Sequence, residues 1–199
     1  MKMGWNEAFN AFPVLETERF LLRKIDLSDA PSMYSYFSRD EVTEFYDLET
    51  LTDPQQAVEL IEGLLFRYEA RMQIRWGITE KAQNVVIGSC GLHAFEEQHF
   101  KAEIGYELHP DYWRKGVMTE VIQKVIDYGF YEMGLNRIEA FYNPLNHPSQ
   151  TVLEKNGFRY EGILRKRFFV KGKFIDTALT AVLREDLILR ENPDSGFSL

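Results

Sequence analysis

A short basic segment precedes a long apolar stretch with helical periodicity. Arg114, Lys115 and Gly116 stand between an alternating segment over residues 103–108 and apolar side chains that recur at helical intervals over residues 119–133. The first turn of a helix leaves about four amide N–H groups without partners and carries roughly half a positive charge. A pyrophosphate placed there gains hydrogen bonds and dipole energy, whereas basic side chains alone are unfavourable at that end. The segment therefore predicts an anion site, with an ordinary amphipathic helix as the alternative.

The sequence does not support several other classes of site. The common nucleotide loops, Gly-x-x-x-x-Gly-Lys-Ser/Thr and Gly-x-Gly-x-x-Gly, do not occur, which counts against an ATPase or a dinucleotide enzyme. Cys90 is the one cysteine and lies in an apolar run, which predicts a buried thiol in a reducing compartment. The histidines show no ligand spacing, so no metal site is predicted. They are His93, His99, His109 and His147.

The elements around the anion site predict an α/β (α+β) domain. A first strand over residues 15–23 is followed by two helices, and an antiparallel meander of three extended segments leads to the helix after Gly116. Gly134 can end that helix in a left-handed conformation. The predicted segments after the first strand are helices at 30–37 and from 54 onward, strands at 74–79, 85–92, 103–108 and 137–142, a helix at 148–155, and hairpin strands at 165–170 and 177–183.

Length and composition predict one domain. The chain has 199 residues, of which 45% are hydrophobic, and this is enough for one sizeable core over residues 15–186. Residues 1–14 are expected to be an N-terminal extension and residues 187–199 a C-terminal tail, frayed from Glu191 onward. The start does not resemble a signal peptide, and no apolar stretch approaches the roughly 18 residues of a membrane span. The net charge of -8 predicts that the chain does not bind nucleic acid. A cytoplasmic protein that does not bind membranes is expected.

The strand-to-helix junction resembles the signature of the GNAT acetyltransferase superfamily, Gln/Arg-x-x-Gly-x-Gly/Ala. The corresponding residues 113–118 are Trp-Arg-Lys-Gly-Val-Met, so that Trp113 and Met118 depart from the signature at its two ends. Four further segments resemble, in the same order, the branch that acetylates the N-terminal amine of ribosomal proteins. These segments lie at residues 17–23, 146–149, 153–158 and 161–165. The similarity extends over residues 15–186, and several motifs in order are more specific than any one of them.

The resemblance implies a GNAT-type mixed, mostly antiparallel central sheet of about seven strands with flanking helices. It also implies a splay between the fourth and fifth strands, here residues 103–108 and 137–142, in which acetyl-CoA, the co-substrate, lays its pantetheine arm along the fourth strand. Asn146 would hold the pantetheine or the adjoining phosphates, or would simply cap the short helix. The residues expected to bind the coenzyme are Ile104, Tyr106, Leu108, Arg114, Lys115, Gly116, Val117, Met118, Thr119, Asn146 and Ser149.

Acetylation of an amine needs a base, because an alkyl amine is protonated at pH 7, and a base contributes about 10² to 10⁴ in rate. Glu103 resembles by position the catalytic glutamate of histone-type enzymes. Glu107 shares its face by strand alternation and is the second candidate, although both could be solvated strand residues. Many of these enzymes place a tyrosine where this sequence has Leu153. The resemblance to the ribosomal-protein branch implies that Ser149 is then the nearest hydroxyl to the departing thiolate, and the alternative is a plain first-turn serine. Direct transfer is expected, since nothing marks Cys90 as an activated nucleophile.

The acceptor amine is left open by the sequence. The N-terminal amine of a protein, such as a ribosomal protein, ranks first, and a small amine such as a polyamine, amino sugar or amino acid ranks second. Acidic side chains over residues 41–62 and basic side chains over residues 159–173 would suit a cationic amine that meets an anionic coenzyme, although solvated faces explain the same charges. A non-catalytic acyl-CoA sensor is the alternative from another class, and the chain is expected to be a monomer or a homodimer.

Overall fold

Eight strands form one sheet in the computed structural model, which describes residues 5–191, with side chains from Glu7 to Leu187. The strands are β1 Leu15–Glu16, β2 Phe20–Lys24, β3 Gln73–Glu80, β4 Val86–Glu96, β5 Lys101–Leu108, β6 Arg137–Tyr142, β7 Arg159–Val170 and β8 Lys173–Leu183. Their order across the sheet is β1-β2-β3-β4-β5-β6-β8-β7. The β5–β6 pair is parallel and the other pairs are antiparallel. This mixed, mostly antiparallel sheet confirms the predicted fold class.

Two of the helix boundaries follow directly from the local sequence. Asp53 accepts a hydrogen bond from the amide of Gln55 at 2.8 Å and precedes Pro54, which suits the first helical position. The described helices are α1 Ala30–Phe37, α2 Asp40–Thr43, α3 Pro54–Glu69, α4 Val117–Asp127, α5 His147–Lys155 and α6 Arg184–Glu191. A π-helical turn, Tyr128–Glu132, continues α4, and Gly134 follows with a φ of 74°, the left-handed conformation expected. The predicted tail lies outside the described residues from residue 192 onward.

The single strand predicted over residues 15–23 is wrong, because this segment forms two antiparallel strands, β1 and β2. The amide of Thr17 donates to the carbonyl of Phe20 at 2.9 Å, and its hydroxyl oxygen accepts from the amide of Phe20 at 2.9 Å. These bonds close a tight turn of the kind that threonine side chains favour. The turn leaves Arg19 exposed between the two strands.

Helices cover both faces of the sheet. On one face α4 packs Val121, Ile122 and Ile126 into a core that includes Trp76 of β3. On the other face α1 and α3 form a second core around Tyr36. Because alternate residues of a strand point to opposite faces, β3 and β5 present apolar side chains to α4 and polar side chains toward α1.

The predicted splay lies between β5 and β6. Their pairing covers three positions and ends where Glu103 lies opposite Glu139. Beyond this point β6 continues to pair with β8, and β5 continues to pair with β4 as far as Leu108. Within the described part of the chain, residues 104–108 therefore have no strand partner on the β6 side. This edge of β5 offers backbone donors and acceptors to an extended ligand.

Candidate active site

The link between β5 and α4 adopts a backbone conformation that few side chains allow. Gly116 is the N-cap of α4 with a φ of 72°, and Arg114 also has a positive φ of 60°. No side chain of the described chain caps α4, so the amides of its first turn stay open to a ligand. Val117 and Met118 bury their side chains in the core below and hold the turn in place. The junction thus has the open amides and the neighbouring positive charge that an anion requires.

Arg19 holds this link from the β1–β2 turn. Its Nη1 donates to the carbonyl of Lys115 at 3.0 Å, and its Nε donates to the carboxylate of Glu120, in the first turn of α4, at 2.7 Å. Its Nη2 would lie 3.6 Å from a Cβ added at Gly116. Arg19 is thus a third cation beside the junction. The residue pattern alone gives Arg19 no role, although the motif at residues 17–23 contains it.

Trp113, which departs from the family signature, ties the link to the end of β5. Its indole Nε1 donates to the carbonyl of Leu108 at 2.8 Å. The ammonium of Lys115 lies 5.5 Å from the ring centroid of Tyr112, and the Arg114 side chain is exposed to solvent. The carbonyl of Leu108 therefore already has a partner, whereas the two basic side chains of the link remain available to an anion.

The start of α5 lies across the splay from β5. Asn146 caps α5, because its Oδ1 accepts from the amide of Ser149 at 3.1 Å, while its side-chain nitrogen has no partner among the described residues. The Ser149 hydroxyl lies 2.7 Å from the hydroxyl of Tyr106 on β5. Burial raises the pKa of Tyr106, so the phenol keeps its proton at neutral pH. The structure thus brings together three predicted coenzyme-binding residues, and Tyr106 contributes a side chain as well as backbone.

Glu103 lies at the closed end of the splay. It is the cross-strand partner of His93 on β4, and its carboxylate lies 3.5 Å from His93 Nε2. Its side chain is 23% exposed. Burial, and then repulsion by Glu139, raises the pKa of this carboxyl group. A raised pKa makes a carboxylate a better proton acceptor, so Glu103 combines access with the proton affinity that a general base needs.

Glu107 lies in a different environment on the same face. Its side chain is 4% exposed. The carboxylate accepts hydrogen bonds from four side chains, those of Tyr36, Tyr46, Arg75 and Ser89. These donors occupy the lone-pair positions that a carboxylate offers, which leaves none for the proton of an amine. Strand alternation is therefore right about the shared face, but the contacts favour Glu103 over Glu107 as the base.

Two glycines make room for Arg75 on this face. Arg75 is aligned across the strands with Gly91 and Gly105. A Cβ added at Gly91 would collide with the Ile74 carbonyl, and one added at Gly105 would lie 3.4 Å from Arg75 Nη1. The guanidinium extends over the glycines to Glu107, so that an ion pair lies buried at the centre of the sheet. This pair was not predicted from the sequence, although isolated charges in otherwise apolar strands indicate such pairs.

Cys90 is buried and makes no disulfide, as expected. Burial raises the pKa of its thiol to about 12, so the thiol stays protonated and is a poor nucleophile. Between residues 5 and 191, no helix is long and apolar enough to cross a membrane. Over the same residues, no three His, Cys, Asp or Glu side chains are grouped so that they could hold a metal ion.

The fold, with its open β5 edge, is that of an acetyltransferase, and the sequence relationships give its family. The family described as Acetyltransferase (GNAT) domain matches residues 19–159, and the chain belongs to this family, whose fold uses acetyl-CoA. The chain is 41% identical over 173 residues to the uncharacterised N-acetyltransferase YoaA of Bacillus subtilis (strain 168). That alignment covers 87% of this chain and 98% of the relative.

Solved structures of the same family share the fold. An acetyltransferase of the GNAT family from Bacillus anthracis superposes with a TM-score of 0.77 at 27% identity, over 87% of this chain and 99% of that chain. The ribosomal-protein-S5-alanine acetyltransferase from Vibrio fischeri superposes with a TM-score of 0.75 at 25% identity, over 87% of this chain and 98% of that chain. The mixed sheet described above is thus the sheet of GNAT enzymes.

Proposed function

We propose that this acetyltransferase transfers the acetyl group of acetyl-CoA to the N-terminal amine of a protein by direct attack in a ternary complex. The observation that carries this proposal is the course of β5. Glu103 lies at the closed end of the splay, and the open start of α4 follows the other end. At about 3.3 Å per residue, residues 103–108 span about 17 Å. An extended coenzyme along this edge would have its pyrophosphate at the helix and its thioester between Tyr106 and Glu103.

The junction and α5 would hold the coenzyme. The open amides of α4 and of the link would bind the pyrophosphate, with Arg19 and Lys115 supplying positive charge. The free edge of β5 would hydrogen-bond the pantetheine amides as a neighbouring strand would. Asn146 would contribute its unpartnered side-chain nitrogen. When bound, acetyl-CoA supplies an acetyl group activated as a thioester.

Three groups of this chain would act on the transfer. Glu103 would accept the proton that the amine loses as its nitrogen bonds to the acetyl carbon. Backbone amides of β5 near Tyr106 would donate hydrogen bonds to the acetyl oxygen as negative charge develops there. Ser149 would donate a hydrogen bond to the sulfur as the carbon–sulfur bond breaks. A thiol with a pKa of about 8.5 leaves readily as a thiolate, so this last contribution is the smallest.

Two relatives that are named for their acceptors support two acceptor classes. The Vibrio fischeri structure is that of a ribosomal-protein-S5-alanine acetyltransferase, which favours a protein N-terminus. The chain is also 25% identical over 138 residues to the spermidine N(1)-acetyltransferase of Vibrio cholerae, an alignment that covers 69% of this chain and 80% of that enzyme. A polyamine is therefore the second candidate.

A matched acceptor panel tests the proposal. Lysine-free peptides that begin with Ala or Ser, the same peptides with a blocked N-terminus, spermidine and an amino sugar would each be mixed with acetyl-CoA, and thiol release would be followed. We expect release with the free peptides and none with the blocked ones, and a mass increase of one acetyl group on the N-terminal residue. Release with spermidine alone would support the second candidate. Coenzyme binding without release from any amine would indicate an acyl-CoA sensor.

A further inference from the structure

The proposed roles leave unexplained a histidine that lies against Glu103. His93 on β4 is the direct cross-strand partner of Glu103, and the two side chains share the α1 face of the sheet. Nε2 of the imidazole is 3.5 Å from a carboxylate oxygen of Glu103. This separation is longer than a normal hydrogen bond and shortens with a small side-chain movement, as contacts at catalytic sites often do when a ligand binds.

The surroundings of His93 select one tautomer. Its Nδ1 is buried and has no hydrogen-bond partner within the described chain. A Cβ added at Gly105 would lie 3.4 Å from both His93 Cε1 and Arg75 Nη1, so the glycine leaves a gap where the imidazole approaches the guanidinium. A bare nitrogen lone pair is favourable beside a cation, whereas an N–H group is not. The carboxylate of Glu103 favours a proton on Nε2, so both neighbours select the same form.

The imidazole is also neutral. Burial, followed by the positive charges of Arg75 and Arg67, lowers the pKa of His93 to about 4. Nε2 therefore offers Glu103 a neutral N–H donor across the range in which an amine is acetylated. The charged groups that influence the pair come from five strands and one helix. They are Arg75 on β3, Arg67 on α3, Glu96 on β4, Lys101 on β5, Glu139 on β6 and Arg167 on β7.

We propose that His93 is a positioning residue, whose Nε2–H holds the Glu103 carboxylate toward the splay and stabilises its anionic form. The proposal rests on the proposed function, in which Glu103 accepts the proton of the amine. His93 takes up no proton itself. The amine proton passes to Glu103 and from there to solvent, while His93 keeps the carboxylate in one orientation between turnovers.

Loss of this donor has a consequence that a merely structural residue would not produce. A hydrogen bond to the ionised form lowers the pKa of a carboxyl group, so its removal raises that pKa. In His93→Leu the acidic limb of kcat/KM against pH should move up by about 0.5 to 1 pH unit. His93→Gln retains an N–H donor at a similar reach and should keep the limb close to that of the wild type. The exposed His99, changed to Leu, is the matched control and should leave the profile unchanged.

Two measurements decide the proposal. The first is the set of pH profiles, with Glu103→Gln as the variant that should lose the limb. A His93→Leu profile that is lower at every pH but has an unmoved limb would overturn the proposal. The second is NMR of the wild-type protein, with ¹⁵N labelling of histidine to identify the protonated ring nitrogen. We expect Nε2–H with a bare Nδ1 between about pH 6 and 8. A Nδ1–H tautomer would overturn the proposal whether or not His93→Leu folds.

The same experiments separate this proposal from the proposed function. If no amine causes thiol release, the proposed function is refuted and no pH profile of turnover can be measured. The pKa of the Glu103 carboxyl group, followed by ¹³C NMR in the wild type and in His93→Leu, would still decide the relationship between the two side chains. An equal pKa in both proteins would refute the positioning role, and a rise of about 0.5 to 1 unit would support it.

Discussion

The hydroxyl of Tyr106 lies 2.7 Å from the hydroxyl of Ser149, and this contact joins the free edge of β5 to the first turn of α5. Burial raises the pKa of Tyr106, so the phenol keeps its proton at neutral pH and can donate a hydrogen bond to Ser149. Ser149 can then direct its own hydrogen elsewhere, since a hydroxyl group accepts and donates at once. A serine placed in this way is suited to donate to a sulfur atom in the splay.

Ser149→Ala and Tyr106→Phe test this pair. Loss of one neutral hydrogen bond costs about 1 kcal/mol, so each change should lower kcat about fivefold and leave the KM for acetyl-CoA nearly unchanged. If the two hydroxyls act as a unit, the double variant should be little worse than either single one. Steady-state thiol release measures both parameters, with Thr151→Ala on the same helix as the control. If the decrease in kcat of the double variant equals the product of the two single decreases, the hydroxyls act independently.

Glu103→Gln should lower kcat about 10²- to 10⁴-fold, because the amide cannot take a proton from the amine. In the wild type, activity should fall as the pH drops through the pKa of Glu103, since the base works only when ionised. That pKa is raised, mainly by burial, so the fall should begin above the range of an ordinary glutamate. Rates of thiol release over a pH series measure the effect, and Glu69→Gln, at an exposed position at the end of α3, is the control. Unchanged turnover in Glu103→Gln would remove this residue from the mechanism.

The parts of the fold that the sequence predicted depend on short-range patterns. The apolar period over α4 and the left-handed Gly134 are properties of neighbouring residues, and the structure confirms both. The turn at Thr17 was missed because one side-chain hydrogen bond ended a continuous alternating pattern. The splay and its coenzyme came from family resemblance, since no periodicity reports how far two strands separate.

The contacts that define the site join residues distant in sequence, which explains why the residues alone did not reveal them. Tyr106 and Ser149 are 43 positions apart, and Arg19 and Glu120 are 101 apart. Such pairs depend on the register of the whole sheet. The difference between Glu103 and Glu107 has the same origin. Strand alternation places both side chains on one face of the sheet, but contacts from α1 and β3 determine which carboxylate is buried.

The buried pair of Arg75 and Glu107 should be a major determinant of stability. Removal of one partner leaves a buried charge without compensation, so Glu107→Leu should lower the free energy of unfolding by about 3 to 5 kcal/mol. Adding Arg75→Met to that variant should recover most of the loss, because apolar side chains can replace a buried pair at little cost. Urea unfolding measures both effects. The exposed pair of Lys24 and Glu69 is the control, and Glu69→Gln should barely move the midpoint. A double variant less stable than Glu107→Leu would contradict this account.

Arg19 should control affinity for the coenzyme more than the rate of transfer. Arg19→Ala removes the bond to the Lys115 carbonyl and a positive charge beside the link, so the KM for acetyl-CoA should rise about fivefold while kcat changes little. Arg19→Lys separates the two effects, because it keeps the charge but cannot reproduce the contacts of a planar guanidinium to Lys115 and Glu120. An intermediate KM would show that both matter. Lys24→Ala on β2 is the matched loss of a surface cation. Equal coenzyme Kd values for Arg19→Ala and the wild type, by calorimetry, would mean that the link holds its conformation without Arg19, through the buried side chains of Val117 and Met118.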